Sequence, residues 1–153
     1  MSDTEPLVYT FVVACGRDHA FDVWTTKINR WWPKNHSLSG DADPRIAIEG
    51  HIGGRIVERG RDGAEFEWGR ITIWEPPAKL AYSWYAGSTP DRPTDVEVTF
   101  DESDGTTTVQ LTSSGWERFE DGDRLRKGNE QGWGAATAAY RSELSEAASQ
   151  RPS

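Results

Sequence analysis

Hydrophobic and polar side chains alternate in short runs through the middle of the chain. In the range 96–100, valine and phenylalanine alternate with glutamate and threonine, which is typical of a strand with one buried face. Asp62-Gly63 and Asp104-Gly105 are hairpin dipeptides, so neighbouring strands should run antiparallel. A first β-branched run at 7–14 precedes the others. We expect about six further strands, at 46–48, 52–59, 66–74, 79–85, 96–100 and 107–113.

Apolar residues change to helical spacing directly after the first strand. They recur as Phe21, Trp24, Ile28 and either Trp31 or Trp32. Asp18 stands where a helix cap is expected, and Pro33 should end the helix because it disfavours helical geometry at the residue before it. The pattern predicts one short helical segment after strand 1.

A second helical pattern closes the chain. Its apolar stripe consists of Trp133, Ala136 or Thr137, Tyr140 and Leu144. The positions beside the stripe are small, for example Gly132, Gly134, Ala135 and Ala138. Small residues here indicate either close backbone packing or space beside the helix.

These elements predict an α+β fold in which a curved antiparallel sheet of about six to seven strands wraps on a long C-terminal helix. No repeat or long linker divides the chain, so we expect a single domain over residues 1–153, with an ordered core of about 6–147. The 8 Trp, 5 Phe and 4 Tyr residues supply the core, since each bulky ring buries ~150–250 Å².

Composition narrows the class of function. A formal net charge of -8 argues against general binding of nucleic acid or of an anionic membrane surface. The first residues do not resemble a signal peptide, the longest apolar run is too short to span a bilayer, and the single Cys15 cannot form an internal disulfide. We therefore expect a cytoplasmic protein without a membrane partner.

Residues for metal or nucleophilic chemistry are sparse. His19, His36 and His51 are far apart and none belongs to a His-x-x-x-His pair, so we expect no metal. The chain has no Gly-x-Ser-x-Gly elbow and no complete phosphate loop, so we expect no catalytic residue or cofactor of those kinds. An enzyme is less favoured than a binding protein.

A series of short motifs between Val12 and Leu144 carries a family resemblance. The motifs are Ala20–Thr25, Trp31-Trp32-Pro33 with His36-Ser37, Glu49-Gly50, Gly53–Ile56, Glu67–Ile71, Trp74–Pro77, Leu80 with Ser83-Trp84, Val96–Phe100, Ser114–Glu117 and Gly132-Trp133. With them the chain resembles the SRPBCC superfamily of START-like helix-grip proteins. Within it, the chain is most similar to the branch named after activators of the ninety-kilodalton heat-shock protein ATPase.

The resemblance implies a cavity between the sheet and the terminal helix. Its candidate lining residues are Trp24, Trp31, Trp68, Arg70, Trp84, Phe100, Ser113, Trp116, Trp133 and Tyr140. Ser113 occupies a position where many relatives carry histidine, and alternation places it on the core face. Arg55, Arg70 and Glu117 are candidates for orienting a ligand. The alternative is that these aromatic residues simply fill the core.

Three functions are compatible with this resemblance, because one fold hosts many activities. The first is binding of a small hydrophobic or aromatic molecule in the cavity. The second is a co-chaperone-like or stress-response protein whose partner is a chaperone or another protein. The third is an enzyme similar to polyketide cyclases and aromatases. The first is the leading hypothesis.

Overall fold

A computed structural model describes residues 4–33, 45–60, 62–85, 91 and 93–149, with side chains described as far as residue 145. Within this part the chain forms seven strands and three α-helices, together with the 3₁₀ turn Trp116–Arg118. The elements follow one another as β1 (Leu7–Val13), α1 (Arg17–Thr25), α2 (Ile28–Trp31), β2 (Arg45–Ile48), β3 (Arg55–Arg59), β4 (Glu65–Glu75), β5 (Lys79–Trp84), β6 (Thr94–Ser103), β7 (Thr106–Ser114) and α3 (Gly122–Ser149).

The strands form one antiparallel sheet in the order β1-β7-β6-β5-β4-β3-β2. Both residues of the Asp104-Gly105 turn between β6 and β7 have positive φ, 54° and 79°, as a two-residue hairpin turn requires. The long helix α3 follows the last strand and packs on β1 and on the early helices. The predicted α+β helix-grip fold is confirmed.

The predicted short helical segment after strand 1 is confirmed, and the structure divides it into the two helices α1 and α2. Gly16 rather than Asp18 precedes α1, and Asp18 lies within its first turn. At the other end the Thr25 hydroxyl donates to the Phe21 carbonyl oxygen, and Lys27 N–H reaches back to the Asp22 carbonyl oxygen at 3.1 Å. Hydroxyl competition of this kind weakens a helix interior, and the chain restarts as α2.

The apolar stripe predicted for α3 is confirmed, since Trp133, Ala136, Tyr140 and Leu144 are all buried. The helix begins well before this stripe, at Gly122, where an added Cβ would lie 2.0 Å from the Trp116 carbonyl oxygen. Its N-terminal half is held by β1, whose Tyr9 hydroxyl donates to the Glu130 carbonyl oxygen at 2.8 Å. The described helices include none that is long and apolar enough to cross a membrane.

Candidate functional site

Four tryptophans from four elements meet between the sheet and α3. Trp32 follows α2, Trp68 lies in β4, Trp84 ends β5 and Trp133 lies on α3. All four are at least nine-tenths buried, and we call them the tryptophan group. It therefore lies where the sequence predicted a ligand cavity.

The rings of the tryptophan group touch mainly through edges and tilted faces. The Trp32 centroid is 5.0 Å from Trp68, 5.8 Å from Trp133 and 5.9 Å from Trp84. Trp84 lies 4.8 Å from Trp133 and 5.8 Å from Trp68. Each such pair adds about 0.5–1.5 kcal/mol beyond the area it buries, so the four rings stabilise one another.

Trp32 was not among the predicted site residues, although it contacts the other three members. Helical periodicity alone did not choose between Trp31 and Trp32. The signal was Pro33, because the residue before a proline is driven out of helical geometry. Trp32 has φ -58° and ψ 130°, so the chain turns there and both neighbouring rings are buried.

Three indole N–H groups of the tryptophan group are buried without a hydrogen-bond partner. They are the Nε1 groups of Trp32, Trp68 and Trp133, whereas that of Trp84 is not among the buried unpaired atoms. An unpaired buried donor costs about 1–3 kcal/mol. Three of them together approach the ~5–15 kcal/mol by which a whole domain is stable. The indole N–H groups of Trp24 and Trp116 are also buried without a partner, but those of the tryptophan group belong to rings in mutual contact.

A second aromatic group lies beside the first and consists of Trp24, Trp31, Tyr140 and Phe11. Trp24 and Tyr140 are 4.8 Å apart, and Trp31 connects to Trp32 at 5.8 Å. The Trp31 indole donates to the Val23 carbonyl oxygen and the Tyr140 hydroxyl donates to the Ala20 carbonyl oxygen, at 2.8 and 2.7 Å. These two polar tips are thus paired, as in an ordinary core, whereas the third, the Trp24 indole N–H, is buried without a partner among the described residues.

Burial is the main influence on the pKa values of the two tyrosines near these rings, Tyr140 and Tyr82. It raises the pKa of Tyr140 and of Tyr82 well above the usual value of 10. The nearby Trp24 indole has a smaller, opposing influence on the pKa of Tyr82. Both phenols therefore stay neutral in the folded protein throughout the physiological range.

Arg70, a predicted site residue, does not join the tryptophan group. Its side chain is 56% exposed and pairs with Glu67 at 3.1 Å. If side chains alternated without interruption along β4, Arg70 would point inward like Trp68. The register of β4 against β3 shifts, however, because Ile56 pairs with Gly69 and Val57 pairs with Glu67. The extra residue in β4 is a bulge, which reverses the phase of the strand after Trp68.

The other candidate orienting groups also lie at the surface. Arg55 pairs with Glu49 and Glu65, whose pKa values are lowered mainly by hydrogen bonds from arginine side chains, and Glu117 is exposed. Glu67 accepts a short hydrogen bond from the Tyr85 hydroxyl; burial and this anion raise the pKa of Tyr85 to about 12. These contacts form a network of charged side chains along β3 and β4, outside the tryptophan group.

Three further candidates lie away from the four rings. Phe100 packs against Phe21 at 5.3 Å, under α1. Ser113 is fully buried, pairs across the sheet with Leu7 and Val96, and its hydroxyl has no partner, so its inward orientation is confirmed. Trp116 is fully buried in the turn under the start of α3.

Sequence reasoning also missed Glu58, a fully buried carboxyl group in β3. It pairs in register with Ile46 of β2 and Phe66 of β4, both on the core side of the sheet. Directly opposed residues share a face, so Glu58 points inward as well. Glutamate is almost never fully buried without a structural or chemical reason.

Two hollows lined by described residues lie outside the tryptophan group. An open cleft of about 300 Å³ separates α1 from the turn after β4 and is lined by Asp18, Phe21, Asp22, Thr25, Thr26, Trp74, Pro76 and Pro77. A hollow of about 30 Å³ lies between the early helices and the end of α3. The part of the chain that the structure describes contains no cluster of three or more His, Cys, Asp or Glu side chains arranged for a metal ion.

The sequence matches one family model over residues 14–143, that of the activator of Hsp90 ATPase homolog 1-like proteins. No curated protein matches the chain. Among solved structures, an anthrahydroquino-γ-pyrone synthase, complexed with a ligand designated SUM, is 34% identical with a TM-score of 0.58. The alignment covers 81% of this chain and 84% of the synthase.

Two more distant structures share the fold. CalC from Micromonospora echinospora, a self-sacrificing resistance protein, has a TM-score of 0.72 at 21% identity; 97% of this chain and 99% of CalC are covered. The Aha1 dimer from Colwellia psychrerythraea has a TM-score of 0.65 at 17% identity, with 92% and 96% covered. At these identities the likeness concerns the fold alone.

Proposed function

The chain belongs to the family of activator of Hsp90 ATPase homolog 1-like proteins, and from that premise we propose that it binds a small, planar hydrophobic or aromatic molecule between the sheet and α3. The tryptophan group is the proposed contact surface. Aromatic rings with a few well-placed polar groups are typical of small-molecule sites. A related synthase that carries a ligand lends support to the class of molecule.

The observation that carries the proposal is the convergence of Trp32, Trp68, Trp84 and Trp133 with unpaired donors among them. A core that serves only stability pairs most of its polar tips, as the second aromatic group does for Trp31 and Tyr140 and does not for Trp24. Entry of a guest requires the rings to separate. Tilted contacts across four different elements permit such a movement more readily than one rigid strand or helix face would.

Fluorene, a planar hydrocarbon, tests this proposal by thermal unfolding and equilibrium dialysis. A ligand at ~100 times its dissociation constant adds ~2.7 kcal/mol to the free energy of unfolding. For a chain of this size, that increase raises the unfolding temperature by about 5–10 °C. Trp84→Leu should weaken binding at least about tenfold. Trp74→Leu is the matched control, because Trp74 is half-buried beside the open cleft and should keep affinity within about twofold.

If neither fluorene nor the planar ketone 9-fluorenone binds to the wild-type protein or shifts its unfolding temperature, the planar-ligand site is refuted. Equal loss of binding in the Trp84 and Trp74 variants would refute the proposed location. Either result leaves the fold and family membership untouched.

A second candidate function is proton-transfer chemistry on an oxygenated chain, as in cyclase-type enzymes. Glu58 favours it, since a carboxyl group buried on the core face of β3 is placed to take a proton from a carbon between two carbonyl groups. Loss of that proton leaves a carbanion in the substrate. The carbanion attacks another carbonyl carbon of the same substrate molecule and forms a C–C bond, and the resulting alkoxide takes up the proton that the carboxylate had removed.

Exchange of the central C–H protons of 1-phenyl-1,3-butanedione for deuterium measures the first half of that step. The wild-type protein should accelerate exchange over buffer, and Glu58→Gln should remove the acceleration while fluorene affinity changes less than about twofold. Exchange at the buffer rate in the wild type would eliminate this candidate and leave the binding function as proposed.

A protein-docking role has less support. Within the described residues the large hydrophobic side chains that are strongly exposed are Val8, Val12 and Ile52. Val8 and Val12 lie on the outer face of the edge strand β1 and Ile52 lies in the turn before β3, so they do not form one wide apolar patch of the kind that marks a protein interface.

A further inference from the structure

The tryptophan group presents hydrogen-bond donors without acceptors. Its three unpaired Nε1 groups come from the residue that follows α2, from β4 and from α3, yet the rings that carry them lie in one contact group around Trp32. An indole N–H donates only and has no lone pair to accept with. Donors on three separate elements therefore point to something that offers acceptors to all of them.

In the part of the chain that the structure describes, no residue accepts a hydrogen bond from these three atoms. Trp31, one residue before Trp32, shows the ordinary solution, because its Nε1 donates to the Val23 carbonyl oxygen at 2.8 Å. Trp32, Trp68 and Trp133 have no comparable carbonyl oxygen within reach, and all three rings are at least nine-tenths buried. Bulk water is accordingly kept from these groups while the site is closed.

We propose that the molecule bound by the tryptophan group carries carbonyl or similar acceptor oxygens on its planar ring system, and that Trp32, Trp68 and Trp133 recognise those oxygens through their indole N–H groups. This inference rests on the proposed binding function and adds the chemical class of the ligand: an aryl ketone or quinone-like molecule. A pure hydrocarbon would leave the donors unpaired, and an organic cation would offer them no lone pair.

The indole donors should also determine whether the site prefers a ketone or the hydrocarbon of the same shape. A ketone oxygen that leaves water loses its hydrogen bonds, so a pocket without donors binds a hydrocarbon more tightly than the ketone of the same shape. A pocket with well-placed donors reverses that order, because the unpaired N–H groups then gain acceptors. The reversal distinguishes recognition of oxygen from simple burial of rings.

Fluorene and 9-fluorenone are suitable probes, since they have nearly the same planar shape and differ by one carbonyl group. Neither is an alkylating agent for Cys15. We expect the wild-type protein to bind 9-fluorenone at least about tenfold more tightly than fluorene, measured by equilibrium dialysis. In ¹H–¹⁵N spectra of the wild type, 9-fluorenone should shift indole Nε1–H resonances downfield, and fluorene should not produce such hydrogen-bond shifts.

Phenylalanine variants keep a ring and remove the N–H group. Trp32→Phe, Trp68→Phe and Trp133→Phe should each reduce the preference for the ketone, and at least one should bring it to equality or reverse it. Trp84→Phe is the matched control: both affinities should fall together and their ratio should stay within about twofold. If a variant does not fold, the indole shifts of the wild-type protein still decide the question.

The outcomes separate the two proposals. Binding of fluorene with no preference for 9-fluorenone, or without indole shifts, overturns the recognition of oxygen and leaves the binding site standing. Binding of neither probe overturns both. A ketone preference that survives in all three phenylalanine variants shows that other groups recognise the oxygen, and it also overturns this assignment.

Discussion

The two aromatic groups differ at their polar tips rather than in their apolar surfaces. Both are buried, both combine residues from the early helices and α3, and both pack with centroids about 5–6 Å apart. In the second aromatic group Trp31 and Tyr140 donate to backbone carbonyl oxygens. Among the described residues, the second aromatic group contains one buried indole N–H without a partner, that of Trp24, whereas the tryptophan group contains three. Burial is therefore the same in both groups, and the difference lies in the share of donors that lack an acceptor.

The largest expected effect on stability lies in the second aromatic group. Tyr140→Ala removes a ring that contacts Trp24, Trp31 and Phe11, and it also removes the donor to Ala20. Such a truncation should cost about 3–5 kcal/mol in the free energy of unfolding, as measured by urea denaturation. A loss below about 1 kcal/mol would mean that this group is not the structural core that its paired tips indicate.

A smaller effect on stability is expected when one tryptophan from each group is replaced by phenylalanine. Trp31→Phe leaves the Val23 carbonyl oxygen without its indole donor, so it should cost about 1–3 kcal/mol in addition to the smaller ring. Trp68→Phe has the same change in ring size but removes a donor that was unpaired, which offsets part of that cost.

We therefore expect Trp68→Phe to destabilise the ligand-free protein by at least about 1 kcal/mol less than Trp31→Phe. Chemical denaturation of both variants under one set of conditions measures the difference. Equal losses would show that the Trp68 N–H is satisfied in solution, and the contrast between the two groups would then disappear.

The sequence alone was sufficient for the fold because the hairpin dipeptides and the change from alternation to helical spacing are local signals. It placed Ser113 inward for the same reason. Arg70 was misplaced, since a bulge at Trp68 changes the phase of β4, and nothing local marks it. Glu58 was not singled out, because a glutamate within a strand pattern carries no local sign that its neighbours in β2 and β4 will bury it.

The tryptophan group was only partly predictable. Trp68, Trp84 and Trp133 were chosen from their strands and helix, and Trp32 was available from the constraint that Pro33 imposes. The sequence could not predict which indole N–H groups have a hydrogen-bond acceptor, because the acceptor of a buried donor depends on tertiary geometry. The feature that separates the two groups is therefore one that only a structure supplies.

The smallest expected effect concerns pH, and it separates the groups by their titratable side chains. The second group contains Tyr140, whose pKa is raised by burial, so the folded state holds this proton after the unfolded chain has lost it near pH 10. The unfolded state then binds fewer protons, and stability must fall as pH rises above about 10. Tyr140→Phe should make that fall less steep; Tyr82 and Tyr85, whose pKa values are also raised, should keep part of it.

The tryptophan group has no titratable member, so the affinity of the folded protein for 9-fluorenone should change by less than about twofold between pH 6 and 9. Equilibrium dialysis across that range, with unfolding curves at each pH, separates binding from stability. A stronger dependence on pH would bring an ionisable side chain into the site.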